Sequence, residues 1–134
     1  MTAAPLREEL AETANGWGGE AVGLPLLAQW YDFDHPDRVG QFIGERPFLV
    51  MLLTEARTAI GEHFPGSRRM LRVSDDPDEV DPVRRRQLVL EIVTRDSPPD
   101  ALARLRDFDA AWWLPALERA QQSLCITLEF GAGA

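Results

Sequence analysis

Two ionisable side chains, His63 and Asp109, fall on the apolar faces of predicted helices. At 100° per residue, His63 lies beside Leu52 on the inner face of a helix predicted over residues 47–63. Asp109 lies inside the apolar arc of a second predicted helix, over residues 98–113. If the two helices pack side by side on a sheet, Asp109 accepts a hydrogen bond from His63 and orients it as a catalytic base. The pair is the one candidate catalytic site in the sequence.

A structural role explains the same two residues. A buried aspartate commonly accepts a hydrogen bond from a backbone amide, an indole N–H or an arginine. His63 stands near a helix end, where its side chain reaches solvent or a terminal carbonyl group. Ionisable groups in purely structural networks also have shifted pKa values, so we assign no catalytic residue and keep both as candidates.

The basic and sulfur-containing residues exclude several kinds of site. All 14 basic residues are Arg, which excludes a Schiff-base lysine and a phosphate-loop lysine. The single Cys125 excludes a disulfide within the chain and a Cys-x-x-Cys motif. Because Cys125 alternates with Leu124 and Ile126, we expect it on the sheet face away from the helices. That position argues against a Cys–His–Asp nucleophile site.

The densest group of metal-ligand residue types is Asp32, Asp34, His35 and Asp37. The calcium-loop pattern fails there, because Pro36 stands at the third ligand position and Asp37 at the glycine position. No H-E-x-x-H motif or Cys/His spacing of a zinc site occurs. The sequence therefore predicts no metal and no other cofactor.

The charge balance disfavours nucleic acid as a partner. The formal net charge is -8, and the run Arg84-Arg85-Arg86 directly follows the acidic residues of segment 75–81. The longest apolar run, residues 48–53, is far shorter than the roughly 20 residues of a membrane-spanning helix. A signal peptide begins with basic residues that are followed by an apolar stretch, but this N-terminal segment contains Glu8, Glu9 and Glu12. We expect a cytoplasmic protein that binds no membrane, and the arginine-rich, lysine-free composition indicates a bacterial source.

The first half of the chain is predicted to be mostly helical. A short amphipathic helix is expected from Pro5 to about Asn15, followed by a loop over residues 16–19. The string Gly16-x-Gly18-x-x-Ala21 matches a loose dinucleotide fingerprint, but no strand precedes it. Residues 24–30 form an apolar segment of unassigned type. A small helix is expected to begin near Pro36, with Asp34 as its cap.

The second half predicts the order β-β-α-β. Alternating apolar residues indicate strands over residues 70–74, 87–94 and 124–130, and an acidic connection joins the first two as a hairpin. The helix from residue 98, capped by Ser97, is expected to bend or restart at Pro115. With 134 residues, the chain forms one α+β domain, whose three-stranded sheet is covered on one face by helices. We expect the last strand to run parallel to the second, with the first between them.

The segment 106–114, which contains Asp109-x-x-Trp112-Trp113, and the strand that follows it resemble the ending of a group of short bacterial proteins of unknown function. The resemblance covers about the last third of the chain. It implies a helix followed by a strand and carries no activity or functional residue. Because the two indoles are adjacent, they diverge by about 100°, so one lies at a groove or partner surface or at the edge of the core.

The sequence supports two main hypotheses about function. The first is a non-catalytic interaction or regulatory module that self-associates, since the last strand alternates cleanly and carries one charge, Glu129. The second is a small-molecule-binding protein or hydrolase that uses His63 and Asp109. Nucleic-acid binding is the third and weakest alternative.

Overall fold

The structure, a computed structural model, describes residues 17–131 and the side chains from residue 24 onward. The helix predicted near Pro5 lies outside the described residues. The chain order of the elements is α1 (Trp17–Trp30), β1 (Asp32–Phe33), α2 (Pro36–Gly44), α3 (Phe48–His63), β2 (Arg68–Asp75), α4 (Pro82–Arg85), β3 (Arg86–Thr94), α5 (Pro98–Phe108), a π turn (Asp109–Trp113), α6 (Leu114–Ala116), a 3₁₀ turn (Leu117–Ala120) and β4 (Leu124–Phe130).

Within residues 17–131, the sheet has four strands in the order β1-β2-β3-β4. The α+β class is confirmed, but the predicted three-stranded sheet is wrong by one strand, β1. A two-residue strand is too short to show the alternation that identifies a strand in a sequence. The last strand does run parallel to the second long strand, as expected. The predicted strand order is wrong, because β3 lies in the middle and pairs with β2 on one side and β4 on the other.

One face of the sheet forms the core with the helices. The residues of β3 on this face, Leu88, Leu90 and Ile92, are fully buried. Helix α3 packs against this core through the side predicted from its periodicity, which includes the buried residues Leu49, Leu52, Leu53, Ala56 and Ile60. The helix prediction over residues 47–63 is thus confirmed in both its bounds and its buried side.

The other face of the sheet carries Cys125. Pairing of Cys125 with Val89 places the thiol on the face opposite Leu88 and Leu90, as the alternation predicted. This open face also carries Thr127 and the ion pair between Arg72 and Glu91, whose N–O distance is 3.0 Å. The periodicity thus assigned the face of each β4 side chain correctly.

Besides β1, the first half of the described chain differs from the sequence prediction at two places. Residues 17–19, predicted as a loop, are the start of α1, which also contains the unassigned segment 24–30. Helix α2 begins at Pro36 as expected, but its cap residue is His35, with φ at 55°, rather than Asp34. The amide of Asp34 donates to the carbonyl of Leu71 at 2.9 Å, which keeps Asp34 in the β1–β2 pairing and away from the helix end.

The hairpin between β2 and β3 is confirmed, and its opposite charges neutralise one another locally. Arg86 Nε donates to Asp75 Oδ1 at 2.7 Å, across the end of the hairpin. Within the connection, the Asp81 carboxylate accepts from the amide of Val83 and caps the short α4. The Arg84–Arg86 run is therefore partly used in ion pairs and does not form a separate basic arm.

The helix predicted to run from residue 98 to residue 113 changes type at Asp109. The amide of Leu114 donates to the carbonyl of Asp109, five residues earlier, as in a π turn. Pro115 has no amide hydrogen, and its ring would collide with the carbonyl of Ala111 in a regular α-helix. The wider turn relieves that collision, so the effect of Pro115 appears several residues before the proline itself.

We expect Leu90→Ala to destabilise the protein by about 2–5 kcal/mol, because Leu90 is 0% exposed in the central strand. Met51→Ala is the control, since Met51 is 63% exposed and its change is expected to stay within about 0.5 kcal/mol. Urea unfolding followed by circular dichroism measures both values. Equal effects of the two substitutions would contradict the assignment of this sheet face to the core.

Candidate functional site

The structure brings the helices of His63 and Asp109 together, but it does not pair the two side chains. The His63 ring packs edge-on against Phe108, with ring centroids 6.0 Å apart and planes at 81°. Asp109 is the next residue along the chain and begins the π turn. Within the described residues, no hydrogen bond or ion pair joins His63 to Asp109. The expected orientation of the imidazole by Asp109 is therefore not supported by a contact.

A groove between α3 and the π turn, which we call the helix groove, contains His63 but not Asp109. Its volume is about 370 Å³, and it is lined by Glu55, Thr58, Ala59, Glu62, His63, Ala111 and Trp112. A hydrolase of the kind considered above needs its base and the orienting carboxylate within hydrogen-bond reach. Because the groove holds only one of the two, we do not propose the pair as catalytic machinery.

Glu55 joins α3 to the segment that precedes β4. Its Oε1 accepts from Trp112 Nε1 at 3.2 Å and from Arg119 Nη1 at 2.9 Å, and its Oε2 accepts from Arg119 Nη2 at 2.6 Å. The hydrogen bonds from Arg119 hold the pKa of Glu55 below its usual range, with a smaller contribution from Trp112. Sequence reasoning missed this cluster, because its members lie far apart in the chain and no local spacing connects them.

The pKa of Asp109 is shifted in the direction opposite to that of Glu55. Asp109 is half-buried, and desolvation raises the pKa of its carboxyl above the usual value. No compensating cause accompanies the desolvation, in contrast to the arginine beside Glu55. The ionised form of Asp109 is thus disfavoured by folding, as expected for a carboxylate that lacks a charged partner.

The two adjacent indoles line two different grooves. Their rings stack with centroids 5.8 Å apart and planes at 26°, yet Trp112 faces the helix groove and Trp113 faces a second groove at the sheet edge. This second groove, the edge groove, has a volume of about 410 Å³. Its lining residues are Arg84, Gln87, Trp113, Leu117, Ala120, Gln122, Leu124, Cys125 and Ile126.

Among residues 17–131, one side of the β4 main chain has no strand partner. The amide of Leu88 donates to the carbonyl of Ser123 at 2.8 Å, and the amide of Gly131 donates to the carbonyl of Thr94 at 2.9 Å. Main-chain groups alternate in direction along a strand, so the odd-numbered residues of β4 face β3. The N–H and C=O groups of the even-numbered residues, from Leu124 to Phe130, point toward the free edge.

The free edge is accompanied by exposed apolar side chains. Leu117 is 47% exposed and Phe130 is 49% exposed, while Leu114 also lies on the surface of the segment before β4. The opposite sheet edge differs, because β1 has only two residues and Asp32 pairs with Arg68 at 3.0 Å. Short, charged edges resist strand addition, whereas long apolar edges invite it. The β4 edge is therefore the more open of the two.

Thr127, at the middle of β4, carries an unsatisfied polar atom. Its Oγ1 is buried and has no hydrogen-bond partner among the described residues. Its main chain faces β3, and its side chain lies on the open face of the sheet beside Glu91. Buried hydroxyl groups in native proteins usually have a hydrogen-bond partner, and this one is not accessible from the free edge in its present rotamer.

Comparison with protein-family models, with curated proteins and with solved structures gave no match for this chain. Among the described residues, no group of three or more His, Cys, Asp or Glu side chains is placed to hold a metal ion. In the same part of the chain, no helix is long and apolar enough to span a membrane. The edge of β4 and its groove are thus the best-defined candidate site.

We expect Glu55→Gln to lower stability at pH 7, because it removes the charge that Arg119 and Trp112 hold in place. A lowered pKa in the folded state stabilises the protein above the ordinary glutamate pKa of about 4.3. That stabilisation is lost as the pH falls through the lower pKa of the folded protein. Thermal unfolding at several pH values should therefore show a lower melting temperature for the variant than for the native protein at pH 7. This difference should disappear under acidic conditions. Glu62→Gln, in the same groove, is the control, because Glu62 makes no hydrogen bond or ion pair among the described residues, and it should leave stability at pH 7 unchanged.

For Asp109→Asn we expect a gain in stability at pH 7, whereas Glu55→Gln is expected to cause a loss. The raised pKa means that folding disfavours the ionised carboxylate, so removing the charge stabilises the protein once the pH exceeds the folded pKa. Below the ordinary aspartate pKa of about 3.9 the two proteins should unfold alike. The same thermal unfolding series measures this effect. A loss of stability at pH 7 would show instead that Asp109 has a favourable partner.

Proposed function

We propose that this chain is a non-catalytic interaction module that binds an extended protein segment along the free edge of β4. The observation that carries the proposal is the row of outward-directed main-chain groups of Leu124, Ile126, Leu128 and Phe130 beside the edge groove. Strand addition of this kind obtains affinity from main-chain hydrogen bonds and specificity from pockets for alternate side chains.

The composition of β4 supports strand binding. The strand Leu124–Phe130 contains no proline, and its single charge, Glu129, lies on the open face rather than on the core face. Every side chain on the core face is a large apolar one. Proline and inward-pointing charge are common means of protecting an edge from another strand. This edge has neither, so an incoming strand meets no such barrier.

The charge of the molecule favours a protein partner over nucleic acid. The net charge of -8 repels polyanions, and much of the Arg84–Arg86 run is engaged by the carboxylates of the hairpin. The free thiol of Cys125 suits a reducing compartment such as the cytoplasm. The absence of lysine among the 14 basic residues fits a bacterium with GC-rich coding.

A labelled peptide tests this function directly. The probe carries residues 123–131 with Cys125→Ser and a fluorescein group, and its binding to the native protein is measured by fluorescence anisotropy. Leu128→Pro removes an outward N–H, whereas Leu128→Ala shortens the side chain and keeps that N–H. We expect binding to the native protein and to the alanine variant, and at least about tenfold weaker binding to the proline variant.

Two outcomes would contradict the proposal. The first is the absence of binding at about 100 µM peptide to protein that is diluted until sedimentation shows a monomer, because the β4 edge is then unoccupied. The second is equal binding by the proline and alanine variants. Circular dichroism of both variants verifies that the sheet is intact, because the amide of Leu128 is not part of the ladder with β3.

A further inference from the structure

We propose that the segment bound at this edge is β4 of a second copy of the same chain, paired antiparallel about a two-fold axis at Thr127. This inference rests on the function proposed above and adds the identity of the partner and the register. Most soluble homo-oligomers are closed and symmetric, and a two-fold interface uses the same surface on both subunits.

The register follows from the length of the strand. Antiparallel partners lie on the same face, and a two-fold axis at Thr127 pairs all seven residues of Leu124–Phe130 within the two strands. Ile126 then lies opposite Leu128 of the second copy, and Leu124 lies opposite Phe130. These are the residues whose main-chain groups point outward, so they form the hydrogen-bonded pairs. In any other register, residues at one end of each β4 strand have no partner in the β4 strand of the other copy.

The axis position places Thr127 against Thr127 of the second copy, and a rotation about its χ1 bond would turn the buried Oγ1 toward that copy. Thr127 directs its main chain toward β3, so it forms a non-hydrogen-bonded pair with Thr127 of the second copy. In such pairs the Cα atoms approach to about 4.5 Å and the side chains are closest. Facing threonines on neighbouring strands hydrogen-bond to each other. The β4 residue that carries a buried, unsatisfied side-chain atom is therefore the residue that lies on the axis.

The same register places Phe130 at the edge groove. Phe130 is 49% exposed and shares the core face of the sheet with Leu124. When Phe130 of the second copy lies opposite Leu124, its ring meets the groove lined by Leu124, Trp113 and Leu117. The symmetry repeats this contact, so both exposed phenylalanines and both grooves are covered at once.

The charges near the edge are complementary in this register. Glu129 of the second copy lies opposite Cys125, and Arg84 lines the edge groove together with Cys125. Within its own chain, the half-exposed Arg84 side chain makes two long ion pairs, 3.5 Å to Glu79 and 3.7 Å to Asp81, and such surface pairs are weak enough to be exchanged for a carboxylate of the second copy. The axis thus brings a glutamate of each chain toward an arginine of the other.

Light scattering and sedimentation of the full chain test the dimer. At about 100 µM we expect twice the monomer mass. Arg84→Glu and Glu129→Arg should each weaken the dimer about tenfold in Kd, because each substitution places like charges together twice across the axis. The double variant with both substitutions should return to within about threefold of the native Kd. A double variant as weak as the single ones would overturn the register.

A cysteine placed on the axis provides a second test that does not depend on affinity. In a Cys125→Ser background, Thr127→Cys puts two thiols on the axis, where the Cα distance of about 4.5 Å allows a disulfide. Glu129→Cys in the same background is the control, because its two copies stand about 13 Å apart along the strands. We expect oxidation to cross-link the first variant and not the second. Cross-linking of the more exposed residue 129 instead would overturn the proposal.

Hydrogen exchange separates this inference from the proposed function. In a dimer, the amides of Ile126 and Leu128 become protected as the protein concentration rises, while that of Thr127 is protected throughout. A monomer at about 100 µM whose outward amides exchange rapidly would overturn the second copy as partner. If that monomer still bound the labelled peptide, the interaction module would stand with another protein's strand as its ligand. If the peptide also failed to bind, both proposals would fall.

Discussion

The fold depends on the parallel pairing of β4 with β3. Parallel neighbours cannot be joined by a tight hairpin, so residues 98–120 must carry the chain across one face of the sheet before β4 begins. This crossover completes the cover over the core face. It also leaves β4 as the outermost strand, with half of its main-chain groups directed outward. The core and the candidate site therefore have a common origin.

Two kinds of contact hold the crossover in place, a cluster of charged hydrogen bonds and a group of packed aromatic rings. Glu55 fastens it to α3 through Arg119 and Trp112, and Phe108 packs edge-on against His63 and Phe64. Between these contacts, Asp109 is half-buried at an unfavourable position. Aromatic contact and a charge-assisted hydrogen bond supply specific geometry as well as energy. The position of the edge groove follows from them, since Trp113 and Leu117 belong to the same segment.

Periodicity predicted the long elements well and could not predict contacts between them. The bounds of β4 and the buried side of α3 follow from local alternation and 3.6-residue spacing. The two-residue β1 gives no periodic signal, and the pairing of Glu55 with Arg119 spans 64 residues. A helical wheel also identified the buried side of α3 without identifying which residues meet. Phe108, and not its neighbour Asp109, therefore faces His63. The bend expected at Pro115 takes the form of a π turn that begins at Asp109, and the spacing of side chains does not show where such a turn starts.

The contrast between the two borders of the sheet limits how large any assembly can become. Fibres grow when a subunit offers two complementary borders, so that each addition exposes a fresh acceptor. Here β1 is two residues long and flanked by the Arg68–Asp32 ion pair, which makes it a poor acceptor. A molecule with one receptive border is saturated after a single addition. In the dimer proposed above, the β4 edge of each copy is occupied, and the two-residue β1 would offer a further copy few main-chain groups for pairing.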